Sequence, residues 1–424
     1  MPSDDEIVRV ICDFFVKSRD FNGIPASGLA RGLGTDWTDL QPKVAGLIRD
    51  RRIDAAFESY SVNPHIKRLA DLPVEVQVKA LAAERPAGVC LYPAADIVKG
   101  NADLSRYDGL PYSLRLASAE AQLTPVFFEL SVLEKYFRDP RYSCLFHDRA
   151  GSISVHDEHY LGDQMAERDK VLVQSFGIGY DEKRNRVVVV YLRYLADLSS
   201  EHQQIWKAHE IACKCTMNSD YERSSIYGMF PEHYSVYEAF IQEQREINKL
   251  SQMIGKPPLF RATFEERRRP LEFSPMLRPT LRNLQEFALT LDKMLSENLN
   301  RDFFRGDIPL EDKITADDGS VETRQLGTIT LLERWLDAKY RDRHGDHVGG
   351  EVVEPLREVR KARQPTAHSL SQDAYDASLP NKQDALLAAA LRSLQKLRLI
   401  FSSHPKASGY SVPDWLDGDK IVFY

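Results

Sequence analysis

The sequence predicts a multi-domain α+β protein, and three observations lead to this fold class. The chain has 424 residues, which is about three times a typical domain length, so a single hydrophobic core is not expected. Hydrophobic residues make up 43% of the chain and charged residues 28%, a composition typical of folded proteins. The hydrophobic pattern is helical near the start, strand-like in the middle and helical again at the end. We therefore predict separate domains that differ in secondary structure.

Overall charge and cysteine usage limit the classes of function. A formal charge of −7 argues against a protein that coats nucleic acid with its whole surface, although local basic clusters remain able to bind it. The acidic start and the lack of an apolar run near 18 residues favour neither secretion nor a membrane association. The five cysteines are scattered, unlike a disulfide framework, which indicates a reducing, cytoplasmic compartment.

Residues 1–82 are predicted to form three short helices followed by a strand. Apolar side chains recur at helical spacing in 4–17, 26–33 and 38–49, and 53–62 is strand-like. This order resembles a winged helix, which implies a DNA partner whose phosphates meet the basic residues around the third helix: Lys43, Arg49, Arg51 and Arg52. The same fold also serves to bind proteins, so DNA and protein remain alternative partners for this domain.

Residues 83–250 are predicted to form a mixed α+β domain. Short β-rich runs alternate with helical stretches at 130–137 and 200–212, and 171–178 with 186–194 is typical of a hairpin. An amphipathic helix over 234–250 ends the segment. Polar and aromatic side chains are numerous here, and both a ligand pocket and an ordinary polar surface are consistent with them.

Residues 251–280 are predicted to form a linker rich in proline and arginine. Five prolines between 257 and 279 end helices and stiffen the chain. The run Arg267, Arg268 and Arg269 is a candidate contact for a nucleic-acid backbone, although short charged runs are commonly just solvated.

Residues 281–424 are predicted to form an all-α bundle. Apolar side chains recur at steps of three and four over 281–299, 329–340, 352–363 and 384–401. The third of these helices runs into Leu356-Arg-Glu-Val-Arg-Lys-Ala-Arg-Gln-Pro-Thr-Ala-His. This segment resembles the signature of HEPN ribonuclease domains, an arginine and a histidine separated by four to six residues.

The resemblance implies a catalytic site formed by Arg363, Gln364 and His368. It also implies an RNA-phosphate surface on the preceding helix: Arg357, Arg360 and Lys361. Gln364 stands where the family often has Asn, Asp or His. Pro365 biases Gln364 away from helical geometry, so the motif is expected to lie at a kink.

The same arginine–histidine spacing occurs at four other places: Arg141/His147, Arg149/His156, Arg341/His347 and Arg398/His404. Spacing alone therefore does not identify the site. Only the pair Arg363/His368 follows an amphipathic helix, precedes a long final helix and has an alanine directly before the histidine.

These residue types fit RNA cleavage by the substrate's own 2′-hydroxyl. A histidine with a pKa near neutral exchanges protons with the attacking and leaving oxygens, and an arginine holds the phosphate without losing its proton. No metal or other cofactor is required. The family resemblance implies a homodimer and a toxin or phage-defence effector. The alternative is a non-catalytic regulator that binds DNA or protein through its N-terminal domain and dimerises through the helical domain.

Other candidate sites are weaker. His209 and Cys213 lie four residues apart on one predicted helix, but no second ligand pair follows, so we predict no metal site. His147, His156 and His159 fall in predicted turns. No glycine-rich phosphate loop follows a strand.

Overall fold

The structure is a computed structural model that describes residues 1–18, 20–68, 72–101, 103–162, 165–265, 268–315, 321–363 and 372–424. It is mixed α+β with a helical C-terminal region, which confirms the predicted fold class at that level. The chain divides into two compact units. Unit 1 consists of Met1–Leu145 and Ala150–Met229, and unit 2 consists of Phe146–Arg149 and Phe230–Tyr424.

Unit 1 begins with helices that cover a small antiparallel sheet. Its elements are α1 (Asp4–Lys17), β1 (Ile24–Pro25), α2 (Ala26–Leu33), α3 (Trp37–Arg49), β2 (Ile53–Phe57), α4 (Val74–Ala83) and β3 (Val89–Pro93). The strand order is β1–β3–β2. The three predicted helices are confirmed to within one residue. The predicted strand 53–62 ends earlier because the backbone N–H groups of Tyr60 and Ser61 donate to the Phe57 carbonyl and close a turn.

The middle of the chain forms a larger sheet. Its strands are β4 (Pro125–Glu129), β5 (Tyr142–His147), β6 (Ala150–Val155), β7 (Val173–Tyr180), β8 (Arg186–Tyr191) and β9 (Thr216–Met217). They are ordered β4–β8–β7–β6–β5, and β9 also pairs with β7. The predicted hairpin is confirmed, with Ile178 opposite Val188. The Asp181 side chain supports its turn by accepting hydrogen bonds from two backbone N–H groups.

Short helices precede, connect and follow these strands. They are α5 (Ala95–Asn101), α6 (Pro111–Ala117), α7 (Glu134–Arg138), α8 (Asp157–Tyr160), α9 (Leu192–Ala196), α10 (Ser200–Ala208) and α11 (Ser219–Tyr227). The helix predicted over 200–212 ends at Ala208, and Ile211 instead donates its backbone N–H to the Phe127 carbonyl.

Unit 2 is built around five helices of the described chain. Its elements are β10 (Tyr234–Ser235), α12 (Val236–Met253), α13 (Leu281–Met294), β11 (Glu311–Thr315), β12 (Val321–Gln325), α14 (Thr328–Lys339), α15 (Gly349–Arg363), α16 (Leu379–Ser402) and β13 (Ile421–Val422). α12 packs against α16, and α15 contacts α13, α14 and α16. The helices predicted for the C-terminal part are confirmed as helices.

The core of unit 2 also includes side chains from outside the predicted bundle. The sequence pattern groups α12 with residues 83–250, but its apolar side chains pack in the same core as α13–α16. The predicted linker 251–280 contributes Leu259, Phe260 and Phe273 to that core. Within the residues that the structure describes, no helix has the length and apolar character needed to cross a membrane.

Candidate functional site

The candidate site lies where α15 ends. Val352, Val353, Leu356 and Val359 bury the apolar face of this helix in the core of unit 2. Because side chains three and four residues apart share one face of a helix, Arg360 and Arg363 lie side by side at its C-terminal end. Both arginines are directed towards the end of α13.

Two carboxylates from α13 and its following turn hold Arg363. The Arg363 Nη1 atom lies 2.7 Å from the Asp292 Oδ2 atom and 2.5 Å from the Glu297 Oε1 atom. Asp292 lies in the last turn of α13, and Glu297 lies in the 3-10 turn Ser296–Asn298. The Arg360 Nε atom is 3.6 Å from the same Asp292 oxygen. The four side chains form a compact cluster of two positive and two negative groups.

The two carboxylates differ strongly in solvent exposure. The Asp292 side chain is completely buried, whereas the Glu297 side chain is 42% exposed. Burial raises the pKa of Asp292, although the charges of Arg360 and Arg363 act in the opposite direction. The Ser296 hydroxyl donates to the other Asp292 oxygen. Hydrogen bonding to Glu297 raises the pKa of Arg363, so this arginine stays charged.

Asp292 is therefore an anchor for the arginines. A negative charge in the last turn of a helix is opposed by the helix dipole, and a buried charge needs close partners. The charge of Asp292 is unfavourable for α13 on both counts. Its contacts with the positive charges of Arg360 and Arg363 compensate for this. Glu297, in contrast, is partly exposed, so its ion pair with Arg363 is screened by solvent and is weaker than a fully buried one.

Of the three predicted catalytic residues, Arg363 is described, whereas Gln364 and His368 lie outside the described residues. Beyond them, the chain is bound to the start of α13. The Asp373 side chain accepts from the Arg282 backbone N–H at 2.9 Å, and the Ala374 carbonyl accepts from Leu281 at 2.8 Å.

The other predicted residues of α15 differ in their surroundings. Arg357 forms an ion pair with Glu333 at 2.5 Å and approaches Glu354 at 3.7 Å. Lys361 is exposed to solvent. Together with Arg360 and Arg363, these side chains give the last two turns of α15 a basic surface, although acidic neighbours compensate most of its charge.

The two described arginines of the predicted run 267–269 do not share a surface. Arg267 lies outside the described residues. Arg268 is exposed, with its Nε atom 4.0 Å from Glu265. The Arg269 side chain is buried. It forms an ion pair with Asp148 and lies over the ring of Tyr237. Arg269 is therefore a structural residue of unit 2.

The predicted basic residues of unit 1 are partly neutralised by the start of α1. Lys43 donates to the Pro2 carbonyl and lies 3.9 Å from Asp4. Arg52 forms an ion pair with Asp5 at 2.6 Å. Arg49 and Arg51 are exposed, and Arg51 has a left-handed backbone conformation.

The four competing arginine–histidine pairs have their arginines engaged elsewhere. Arg398 is 4% exposed and is bound to Glu243 in the core of unit 2. Arg141 forms several hydrogen bonds to Asp139. Arg149 lies over the ring of Tyr424, and Arg341 donates to backbone carbonyls of its own turn. Arg398 in particular cannot reach an RNA phosphate.

The histidine–cysteine pair also differs from the arrangement that a metal requires. His209 contacts Ser131 and Glu129, while Cys213 lies next to Cys215. Among the described residues, no three His, Cys, Asp or Glu side chains are grouped closely enough to hold a metal ion.

Sequence reasoning missed Asp292 and Glu297. A local signal was present for Asp292, which follows Leu284 and Ala288 at steps of four and therefore falls on the apolar face of α13. An acidic residue at such a position needs a buried partner. Glu297 gives no comparable signal, because it lies beyond the end of the helix.

In comparisons with known proteins, no family model matches the chain, and no curated protein and no solved structure is significantly similar to it.

Proposed function

We propose that the protein is a metal-independent endoribonuclease whose active site contains Arg363, Gln364 and His368. The observation that carries this proposal is the position of Arg363 at the end of α15, where its guanidinium forms ion pairs with a buried carboxylate and with a partly exposed one that occupies the place of an anion. The helical C-terminal region and the end of α15 at Arg363 are consistent with a HEPN-like domain.

In this mechanism Arg363 binds the scissile phosphate. The ion pair between Asp292 and the guanidinium remains on the buried side, while a phosphate oxygen replaces the Glu297 carboxylate on the solvent side. Charge-assisted hydrogen bonds from arginine to phosphate are strong and directional, and they oppose the negative charge that develops on the phosphorus oxygens. Arg360 adds positive charge next to Asp292.

His368 supplies the proton transfers. As a base it takes the proton of the attacking 2′-hydroxyl, and as an acid it donates a proton to the leaving 5′-oxygen. The bond from the 2′-oxygen to phosphorus forms while the bond to the 5′-oxygen breaks, which leaves a 2′,3′-cyclic phosphate. One histidine performs one of these roles at a time, so a homodimer that presents two motifs to one cleft supplies both. Gln364 hydrogen-bonds the substrate.

The test is cleavage of labelled total RNA and transfer RNA in excess EDTA. Wild type should produce 2′,3′-cyclic phosphate ends, and both Arg363→Ala and His368→Ala should lose this activity. Arg334→Ala is a matched control, since Arg334 is also an ion-paired arginine of unit 2 but contacts Asp312. Intact RNA with every protein, or cleavage that survives both motif substitutions, would refute the proposal.

The second candidate function is a regulator that binds DNA or protein. The order of α1, β1, α2, α3, β2, α4 and β3, with the sheet β1–β3–β2, is consistent with a winged-helix-like domain, and Arg49 and Arg51 are exposed near the end of α3. In this function Arg363 only ties α15 to α13. Salt-sensitive binding of duplex DNA that Arg49→Ala and Arg51→Ala weaken, by a protein without RNA cleavage, would favour it.

A role as a cytoplasmic toxin or phage-defence effector follows from the first candidate. Expression of the wild type should then arrest bacterial growth, and His368→Ala should relieve the arrest. If both proteins leave growth unaffected, the toxin role fails even where RNA cleavage is found in vitro.

A further inference from the structure

Two cysteines lie next to each other in a short loop of unit 1. The Cys213 and Cys215 Sγ atoms are 3.8 Å apart, with Lys214 between the two residues. The chain bends at Cys213, which brings the two side chains to the same side of the loop. A disulfide requires a sulfur–sulfur distance near 2 Å, so the two sulfur atoms, now 3.8 Å apart, need only a short approach to form one.

The loop is fixed at both ends, which keeps the thiols together. On one side Ile211 donates its backbone N–H to the Phe127 carbonyl at 2.9 Å. On the other side Thr216 pairs with Tyr180 in the sheet, and Asn218 donates to the Ile178 carbonyl at 3.0 Å. Because four residues separate Ile211 from Thr216, these hydrogen bonds keep the backbone positions of the two cysteines close together.

Exposure distinguishes this pair from the other cysteines. Cys213 is exposed and Cys215 is partly exposed, whereas Cys12, Cys90 and Cys144 are buried. Burial raises the pKa of Cys12 to about 11 and the pKa of Cys90 and Cys144 to about 12. Their burial also shields these thiols from an external oxidant, so the three serve as internal controls.

Oxidation fits this pair better than metal binding does. A thiolate site for zinc has four ligands, and the described residues contain no group of three or more ligating side chains. Burial, followed by the neighbouring Cys213 thiol, raises the pKa of Cys215 to about 12. The more exposed Cys213 is therefore the sulfur that reacts first with an external oxidant.

We propose that Cys213 and Cys215 form a reversible intramolecular disulfide in exchange with a low-molecular-weight disulfide such as oxidised glutathione. The Cys213 thiolate attacks one glutathione sulfur, forms a mixed disulfide and releases one glutathione thiolate. Cys215, after losing its proton to solvent, attacks the Cys213 sulfur and releases the second glutathione. The protein loses two electrons and two protons, and the glutathione disulfide is reduced to two thiols.

The experiment incubates the full-length protein in buffers with an increasing ratio of oxidised to reduced glutathione. After blocking of free thiols, trypsin cuts at Lys207, Lys214 and Arg223, so Cys213 and Cys215 fall in the adjacent peptides 208–214 and 215–223. We expect these peptides to remain joined until dithiothreitol is added, while Cys12, Cys90 and Cys144 are blocked as free thiols only after denaturation.

Single substitutions test the order of the steps. Cys215→Ser should stop at the mixed disulfide with glutathione on Cys213, and Cys213→Ser should acquire glutathione much more slowly. The proposal is overturned if the two peptides separate without reductant in every buffer, if Cys213 joins another chain instead of Cys215, or if a buried cysteine is oxidised first. Because both substitutions change a surface loop, an unchanged circular dichroism spectrum verifies that the variants are folded.

Discussion

Replacement of Glu243 with glutamine should change how the stability of unit 2 depends on pH. Glu243 is completely buried on α12, where its Oε2 atom accepts from the Arg398 Nε atom at 2.7 Å. Its Oε1 atom accepts no hydrogen bond within the described parts of the chain. Arg398 is shared with Asp417, which is 55% exposed. A buried carboxylate with one satisfied oxygen is costly in its charged form.

The size of the effect follows from the pKa. Burial outweighs the attraction of Arg398 and raises the pKa of Glu243 from 4.5 to about 7. A tenfold change in the proton affinity of a group corresponds to about 1.4 kcal/mol, so the total is about 3 kcal/mol. Because the pKa in the folded state is the higher one, this stability is present below about pH 4.5 and is lost as the pH rises through about 7. Glutamine stays neutral throughout.

We therefore expect Glu243→Gln to gain about 3 kcal/mol relative to wild type between about pH 4 and about pH 9. Urea unfolding at several pH values measures the difference. Since the chain has two compact units, hydrogen exchange of α12 amides assigns the transition to unit 2. The substitution also alters the contact with Arg398 at every pH. The informative quantity is therefore the change with pH in the difference between the unfolding free energies of variant and wild type.

Glu246 on the same helix is a matched control. Burial alone would raise the pKa of Glu246, but hydrogen bonds from Lys249, Tyr410 and Gln242 together lower it. The difference between wild type and Glu246→Gln should therefore move in the opposite direction, with stability lost as the pH falls. Two parallel profiles, or profiles of the same sign, would refute the argument that unsatisfied burial controls Glu243.

Substitutions at three further positions test other contacts, two of them with a control substitution elsewhere. Burial alone would raise the pKa of Asp307, but hydrogen bonds from two lysines and an indole lower it to about 2, so Asp307→Asn should cost about 2 kcal/mol in urea unfolding at pH 7 and less at about pH 3. A Cβ atom at Gly177 would lie 2.1 Å from the buried Tyr221 ring, so Gly177→Ala should cost about 1–3 kcal/mol, whereas Gly32→Ala, with open space around it, should gain roughly 0.5 kcal/mol. Glu297→Gln should increase kcat/KM for RNA a few-fold by weakening competition for the anion position, and Glu286→Gln on exposed α13 surface should leave it unchanged.

Helices were predictable because their signal is local. The apolar spacing of residues 4–17 matches α1, and the pattern of 352–363 ends at the same arginine as α15. Such spacing reports which side of a helix is buried, and it needs no knowledge of the partner.

The apolar run 186–194 shows where local signals fail. Periodicity predicts one strand, but β8 ends at Tyr191 and α9 begins at Leu192. The Leu192 and Arg193 backbone N–H groups still donate to Thr124 and Gln122, beyond the start of β4. A continuous apolar run is equally compatible with a buried strand and a buried helix, and tertiary contacts decide between them.

The partners of Arg363 were not predictable because they are distant in sequence. Glu297 is 66 residues away along the chain, and no local pattern selects it from the other acidic residues. Helix packing makes the pairing, since α13 and α15 are neighbours in unit 2. The motif thus identifies the arginine, while only the fold reveals its electrostatic environment.

In the proposed ribonuclease, that environment determines whether Arg363 can bind a phosphate. With both carboxylates in contact, the charges of Arg360, Arg363, Asp292 and Glu297 cancel, so the cluster offers a phosphate little net attraction. Removal of Glu297 from the cluster restores one positive charge, and Asp292 still fixes the guanidinium from its buried side. In the proposed ribonuclease, the position of one partly exposed side chain therefore controls the access of a phosphate to Arg363, whereas in a purely structural tether the same contact only helps to hold α15 against α13.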